Sequence, residues 1–222
     1  LKKTSAGYEC AAVDGARLPR PLAGGVSASL NGSLYCFGGS DGVTPSADVL
    51  RLTVSGKSVK VETVASLPEG FTPAAAAPYS GKIYVHGAAG QENALYAYNP
   101  SNNAWTSLAA CPSRVISEGA CLIQKHNGRE NAMYLIGGRG TDETGLHIAT
   151  NVWEYLPTHN EWNKKAAFVS EGEPVNLMYS SAVAYGSGHI LVFGGDDGVE
   201  FIKRMELEKA QSTEDLRDAF LS

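Results

Sequence analysis

One unit recurs four times along this chain, and no other feature narrows its fold as much. The unit is an apolar strand, a short turn, a second apolar strand and a glycine-rich end. It first reads Val26-Ser27-Ala28-Ser29-Leu30, Asn31-Gly32, Leu34-Tyr35-Cys36-Phe37, Gly38-Gly39. It returns as Ala74 to Pro78, Ser80-Gly81, Ile83-Tyr84-Val85-His86, Gly87-Ala88. The third copy is Ala120 to Ile123, then Ala132 to Ile136 and Gly137-Gly138. The fourth is Ser181 to Tyr185, Ser187-Gly188, Ile190-Leu191-Val192-Phe193, Gly194-Gly195. A second half follows in the middle two copies. Ala94 to Pro100 leads to Asn103-Ala104-Trp105, and Asn151 to Pro157 leads to Asn160-Glu161-Trp162. In the first copy Asp48 to Leu52 and Val59 to Val64 stand in that place without the tryptophan.

The first glycines of the four ends, at 38, 87, 137 and 194, lie 49, 50 and 57 residues apart. A self-similar unit of about 50 residues with strands and a diglycine is the period of kelch repeats. The expected fold class is therefore all-β: a kelch-type β-propeller with about three and a half blades present. The blades are expected at about 18–64, 65–112, 113–168 and 169–222, after an N-terminal linker over 1–17. A four-stranded blade cannot bury both faces alone, and stacking blades solves this. The diglycine lets a strand end where backbones crowd, and the Trp and Tyr rings are expected to fill the wedge between blades. The fourth unit lacks its last two strands. Phe201, Met205, Leu207, Leu216, Phe220 and Leu221 fall at roughly helical spacing, so a helical tail over about 200–222 is expected, with a helix start at Ser212 or Thr213.

Charge and composition exclude several partners. The net charge is −5 and there is no basic stripe, so no nucleic acid is expected. No run of 18 apolar residues occurs, so no membrane partner is expected. The cysteines are Cys10, Cys36, Cys111 and Cys121, with no CxxC pair, so no zinc site is expected, and with no P-loop, nucleophile triad or metal-ligand set in the sequence neither a metal nor a cofactor is expected. Cys36 and Cys121 read as buried free thiols inside apolar strands, with a disulfide as the alternative.

In an antiparallel blade, loops entering the first strand and loops leaving the second share one face. The entering loops hold Arg20, then Arg114 and Glu118, then Glu171 and Glu173. The leaving loops hold Asp41, then Gln91 and Glu92, then Arg139 with Asp142 and Glu143, then Asp196 and Asp197. Among these, Arg114, Glu118, Arg139 and Glu143 are the candidate substrate-binding residues, and the mix of arginines with carboxylates suits an anionic, hydroxylated ligand such as a small acidic sugar. The five histidines show no ligand spacing, and His86 reads as strand filler.

The chain resembles the sialic acid mutarotases, or N-acetylneuraminate epimerases, in a cyclically permuted form. Leu18-Pro19 through Gly38-Gly39 to Val61 resembles that family's usual final blade. Ala65-Ser66-Leu67-Pro68 to Cys111-Pro112 resembles its first, with a Gly87-Ala88-Ala89-Gly90 turn in place of the diglycine, and Ser113-Arg114 through Trp162 resembles its second. The fourth unit and its helical tail resemble the third, which carries a helical insertion after the diglycine. The resemblance implies a six-bladed propeller that interconverts the anomers of an acidic sugar, with the remaining blades supplied by a missing segment or a second chain. It implies that Arg114 contacts ligand, and that the proposed catalytic carboxylate falls in a later blade, so no catalytic residue is assigned here. Leu22 stands where the family's final blade has an arginine at its entrance. A periplasmic location follows from the resemblance, whereas unpaired cysteines fit the cytoplasm. The rival reading is a kelch interaction module that binds a protein through the same loops without catalysis.

Overall fold

The computed structural model describes residues 2–5, 7–9, 17–56, 58–89, 92–113, 117–126, 129–142 and 145–209. The chain divides into two units, Leu1–Leu108 and Ala109–Ser222. In the first, β1 (Lys2–Thr4) and β2 (Gly7–Glu9) form a short hairpin within the stretch expected as a linker. A four-stranded antiparallel meander follows: β3 (Val26–Leu30), β4 (Ser33–Phe37), β5 (Val49–Ser55) and β6 (Ser58–Thr63). A second has β7 (Phe71–Tyr79), β8 (Lys82–Ala89), β9 (Glu92–Asn99) and β10 (Ala104–Ser107). The turns at Asn31-Gly32 and Ser80-Gly81 have positive φ at both residues. Such turns match the right-handed twist of the strands they join.

Side chains alternate across each strand, so every sheet has two faces. Tyr35 and Phe37 point one way from β4, and Leu34 and Cys36 the other. Tyr35 and Phe37 are buried in a cluster with Val49 of their own sheet and with Phe71, Ile83, Val85 and Tyr98 of the second. The first sheet therefore has an outgoing face that meets the incoming face of the next. Aromatic edges fill the wedge as the sequence suggests: Phe37 meets Trp105 at 5.8 Å and Tyr98 at 6.2 Å, both T-shaped.

A repeated clasp holds each completed sheet to the segment that enters it. Asn103, at φ 53° in the turn between β9 and β10, accepts hydrogen bonds from Tyr98 Oη and from the Ala65 backbone N–H, both at 2.8 Å. Trp105 Nε1 donates to the Ala65 carbonyl at 3.3 Å. In the second unit Asn160, also at φ 53°, accepts from Tyr155 Oη at 2.7 Å and the Ala109 N–H at 2.8 Å, and Trp162 Nε1 donates to the Ala109 carbonyl at 2.8 Å. Asparagine suits this place because it tolerates the left-handed conformation and carries an acceptor. The recurring Asn-x-Trp of the sequence is this clasp.

The second unit contains one complete sheet: β11 (Ala120–His126), β12 (Glu130–Ile136), β15 (Val152–Leu156) and β16 (Glu161–Lys165). A hairpin not foreseen from sequence, β13 (Arg139–Asp142) with β14 (Gly145–Ile148), sits between its second and third strands. The small pair β17 (Val169–Ser170) and β18 (Glu173–Pro174) precedes β19 (Ser181–Tyr185) and β20 (His189–Phe193), a two-stranded sheet. Ala182, Ile190 and Val192 of that hairpin pack against Ala120, Leu122 and Ile136. The helix α1 (Val199–Lys209) follows, and Asp196 and Asp197 accept the N–H groups of Gly198 and Val199 at its start. The expected helical tail is thus present to residue 209. Ser212, Thr213 and the apolar positions Leu216, Phe220 and Leu221 lie outside the described residues.

The second copy departs from the expected glycine turn. Gly38 and Gly39 lie at φ 64° and 99°, and the chain there leaves the sheet. In the second copy β8 runs on through Ala88 and Ala89, paired with Asn93 and Glu92, so Ala88 needs no left-handed backbone. Gly87 is kept for space instead, since a Cβ there would lie 2.0 Å from the Thr72 carbonyl oxygen. Cys36, Cys111 and Cys121 are free thiols, and burial pushes Cys111 and Cys121 up to about 12; Cys10 lies outside the described residues.

Two outcomes follow from these contacts. Asn103→Ala removes two hydrogen bonds and places at positive φ a residue that tolerates the left-handed conformation less well than asparagine. It should destabilise the chain by about 1–3 kcal/mol in denaturant melts. His86 is buried, and desolvation lowers it to about 4. Between pH 6.5 and about 4 the unfolded chain binds a proton here that the folded chain refuses, so stability falls as pH drops through that window. The slope from this one group is at most about 1.4 kcal/mol per pH unit. His86→Phe, the residue that the first and fourth copies hold at this register, should flatten stability against pH there. An unchanged slope would place the titration elsewhere.

Candidate functional site

Of the four residues singled out from sequence, Arg114 and Glu143 lie outside the described residues. The other two, Glu118 and Arg139, meet. Arg139 opens β13 directly after Gly137-Gly138, and backbone bonds in both directions tie it to Ser117 of the entering loop. Its Nη2 donates to Glu118 Oε1 at 2.6 Å and its Nε donates to Oε2, a fork-to-fork pair. Phe201 of α1 lies under the guanidinium, with its ring centroid 4.7 Å from Cζ. Tyr179, at φ 55°, donates its backbone N–H to the Glu118 carbonyl at 2.9 Å. The carboxylate of Glu118 raises Arg139 above its ordinary pKa. Four segments, the loop before β11, β13, the loop before β19 and α1, thus converge on one arginine.

Two of the remaining loop charges, Arg20 and Asp41, are used locally. Arg20 pairs with Asp48 at 2.9 Å. Asp41 accepts from the Val43 and Thr44 N–H groups, which lower its pKa and close its own loop. Glu92 is in β9, and Glu171 and Glu173 lie exposed at the β17–β18 pair. Gln91 lies outside the described residues, as does the side chain of Asp142.

A cavity of about 310 Å³ lies within the second unit, lined by Ser113, His147, Asn151, Trp153 and Lys164 among others. An indole beside hydroxyl, amide, imidazole and ammonium groups is a lining suited to a hydroxylated ligand. Sequence reasoning missed it because β14 brings His147 there. Its rim residue Ser113 directly precedes Arg114 in the chain.

Sequence reasoning also missed a polar cluster in the sheet. Glu154 is 1% exposed. It receives Tyr134 Oη and His126 Nδ1 on Oε1, each at 2.7 Å, and Lys165 Nζ on Oε2 at 2.6 Å. Burial pushes its carboxyl up, but the bonds from Lys165, Tyr134 and His126 more than reverse this and leave it below the ordinary value. In the first sheet the same register position holds Arg51, opposite Tyr35 as Glu154 is opposite Tyr134, and Arg51 pairs with Glu62 at 2.8 Å. A charge interrupting an apolar third strand, as in Val152-Trp153-Glu154-Tyr155-Leu156, was the available signal. Every oxygen of Glu154 is engaged, so it holds the sheet together.

The repeated meanders and the comparisons agree on the class: the fold is a kelch-type β-propeller. No family model matches the chain. Among curated proteins it is similar to mouse Kelch-like protein 35, 26% identical over 173 residues, covering 76% of this chain and 26% of that protein. It is also similar to rat Kelch domain-containing protein 10, 28% identical over 201 residues, covering 84% of this chain and 46% of that one. The chain thus spans from about a quarter to just under half of these relatives. Among solved structures, that titled "Structure of YjhT" aligns with a TM-score of 0.61 at 19% identity, over 81% of this chain and 60% of that chain, a likeness of fold.

Glu154→Gln should cost about 1.5–3 kcal/mol, the scale for a charged hydrogen bond, since it strips Lys165 of its partner. The contribution of Glu154 is complete above the ordinary carboxylate pKa and is lost as pH falls through its lowered folded value. Denaturant midpoints of wild type and variant should therefore converge toward low pH; a constant difference would assign the loss to packing.

Proposed function

We propose that this chain is part of a carbohydrate mutarotase or epimerase of the N-acetylneuraminate type, interconverting the anomers of a small acidic sugar. The observation that carries the reading is the placement of α1. A helix follows the diglycine of the fourth copy, where the resemblance implies one, and its Phe201 seats the arginine of the loop face.

Mutarotation opens and recloses the sugar ring. A base takes the proton of the anomeric hydroxyl, a carbonyl forms as the ring carbon–oxygen bond breaks, and the ring oxygen takes a proton. Reclosure on the other carbonyl face gives the other anomer. Arg114 is the residue proposed to hold the sugar carboxylate by a bidentate pair. The cavity at Ser113 supplies polar groups for the hydroxyls. Arg139, engaged by Glu118, is proposed to position the loop face. No catalytic residue is assigned among the described residues.

The second reading, a kelch interaction module, is favoured by that same engagement, because a guanidinium already forked onto Glu118 leaves less of itself for a ligand carboxylate. One experiment separates the two. Proton NMR follows the anomeric ratio of freshly dissolved N-acetylneuraminate with the intact protein that contains this chain. Equilibration well above the spontaneous rate is expected, and Arg114→Ala should weaken sugar binding by about 1–3 kcal/mol in calorimetry. A spontaneous rate with no heat of binding would leave the interaction module as the reading.

A further inference from the structure

The hairpin β13–β14 has little of its own to hold it in place. Among the described residues its strands pair with each other and, through a single bridge from Arg139 to Ser117, with the loop before β11. A two-stranded hairpin is marginal in water unless something packs against it. What packs against its base is α1 and the turn that leads into it. Arg139 and Ile148 are the register pair that closes the hairpin. Phe201 lies over the Arg139 guanidinium, its ring centroid 4.7 Å from Cζ. Gly198, directly before α1, lies against Ile148: a Cβ there would collide with Ile148 Cδ1 and would stand 3.4 Å from Met178 Sδ. One member of the pair is thus held by a ring, and the other by the absence of a side chain.

The helix depends on this contact in turn. It has 11 residues, too few for a helix to be stable free in water. Its entry is tied down: Asp196 exchanges backbone hydrogen bonds with Met178 at 2.8 and 3.0 Å, and its Oδ1 accepts the Gly198 N–H at 2.6 Å. Phe201, Ile202 and Met205 are half-buried. Helix and hairpin are therefore placed together. The consequence reaches the cavity of the second unit. The pair next to Arg139 and Ile148 is Gly140 and His147. His147 and Ile148 both line the cavity, and residues 147–151 form one continuous stretch of its wall. Moving the base of the hairpin moves that wall.

We infer that Phe201 is a positioning residue for this cavity: docking of α1 on the Arg139–Ile148 pair sets where His147 stands, and so couples the helix to whatever fills the cavity. Coupling is reciprocal, so an occupant of the cavity holds α1 in place by the same factor by which α1 favours the occupant. The occupant is the acidic sugar of the proposed function, and that half of the inference rests on that reading.

The test uses the intact protein that contains this chain and has one arm without ligand and one with it. In the first, the imidazole resonances of His147 are assigned in NMR spectra with His147→Gln. Phe201→Ala should shift them and leave those of His86 and His126 in place. Phe201→Tyr, which keeps a ring for the guanidinium, should restore them. A side chain that only stabilised the fold would lower the denaturant midpoint without singling out His147. Phe201→Leu keeps apolar bulk on the helix and replaces the alanine variant if that one does not fold. His147 resonances unmoved in a folded Phe201→Ala or Phe201→Leu protein overturn the inference. In the second arm, Phe201→Ala should raise the Kd for N-acetylneuraminate at least about fivefold in calorimetry. Saturating sugar should slow amide hydrogen exchange over residues 199–209 of the wild type. Sugar binding that leaves this exchange unchanged and is indifferent to Phe201 overturns the coupling. A His147 shift in a protein whose wild type binds no sugar upholds the positioning role and removes the sugar reading instead.

Discussion

Everything in this molecule depends on a sheet that is apolar on both faces. Alternating side chains of a strand point to opposite sides, and here both sides are hydrophobic: Tyr35 and Phe37 one way, Leu34 and Cys36 the other. No single four-stranded sheet can satisfy that pattern alone, so each is stable only against a neighbour of the same kind. The cluster around Phe37, Ile83, Val85 and Tyr98 and the one around Leu122 and Ile136 are two instances of that requirement. The Asn–Trp clasp supports it locally by tying the last strand of a sheet to the segment through which the chain enters that sheet.

The loops inherit their arrangement from the same constraint. A strand that must end where backbones crowd ends in glycine, and the polar segments that follow collect on one side of the sheets. In the second unit they collect around Arg139. Its charge is met by Glu118 and its flat surface by Phe201, so the segment after Gly137-Gly138, the loops before β11 and β19, and α1 are held as one assembly. Such an assembly can position neighbouring groups with precision because its own polar atoms are satisfied. The cavity at Ser113, His147 and Lys164 lies in this same unit and owes His147 to an inserted hairpin.

Much of the architecture was legible in the chain itself. Diglycines at nearly regular spacing, apolar runs of strand length and paired Asn-x-Trp motifs mark β3 to β12, β15, β16, β19 and β20 closely, because these signals are local: a turn needs positive φ, a strand needs alternation, a clasp needs an acceptor at a fixed offset. The helix at Val199–Lys209 was legible for the same reason, through apolar spacing. The hairpin β13–β14 was not, since Arg139-Gly140-Thr141-Asp142 and Gly145-Leu146-His147-Ile148 carry no β-rich alternation and are strands through pairing with each other. The run of β8 through Ala88 and Ala89 was also missed, because an alanine in place of the second glycine reads as a weak turn and is in fact continued pairing.

The sequence by itself determined the repeat: its period, where the strands and turns of the repeated unit fall, and which residues of those strands lie on each face. These follow from backbone conformation and side-chain alternation, which act over a few residues. Only the tertiary structure decided what the charged residues do. Glu118 and Arg139 stand 21 places apart and look alike to any local rule, yet one neutralises the other. Glu154 looks like a lapse in an apolar strand and becomes the shared acceptor of Tyr134, His126 and Lys165. Charge pairing depends on distance in space and on the loss of water around both partners, and neither quantity exists until the sheets have stacked.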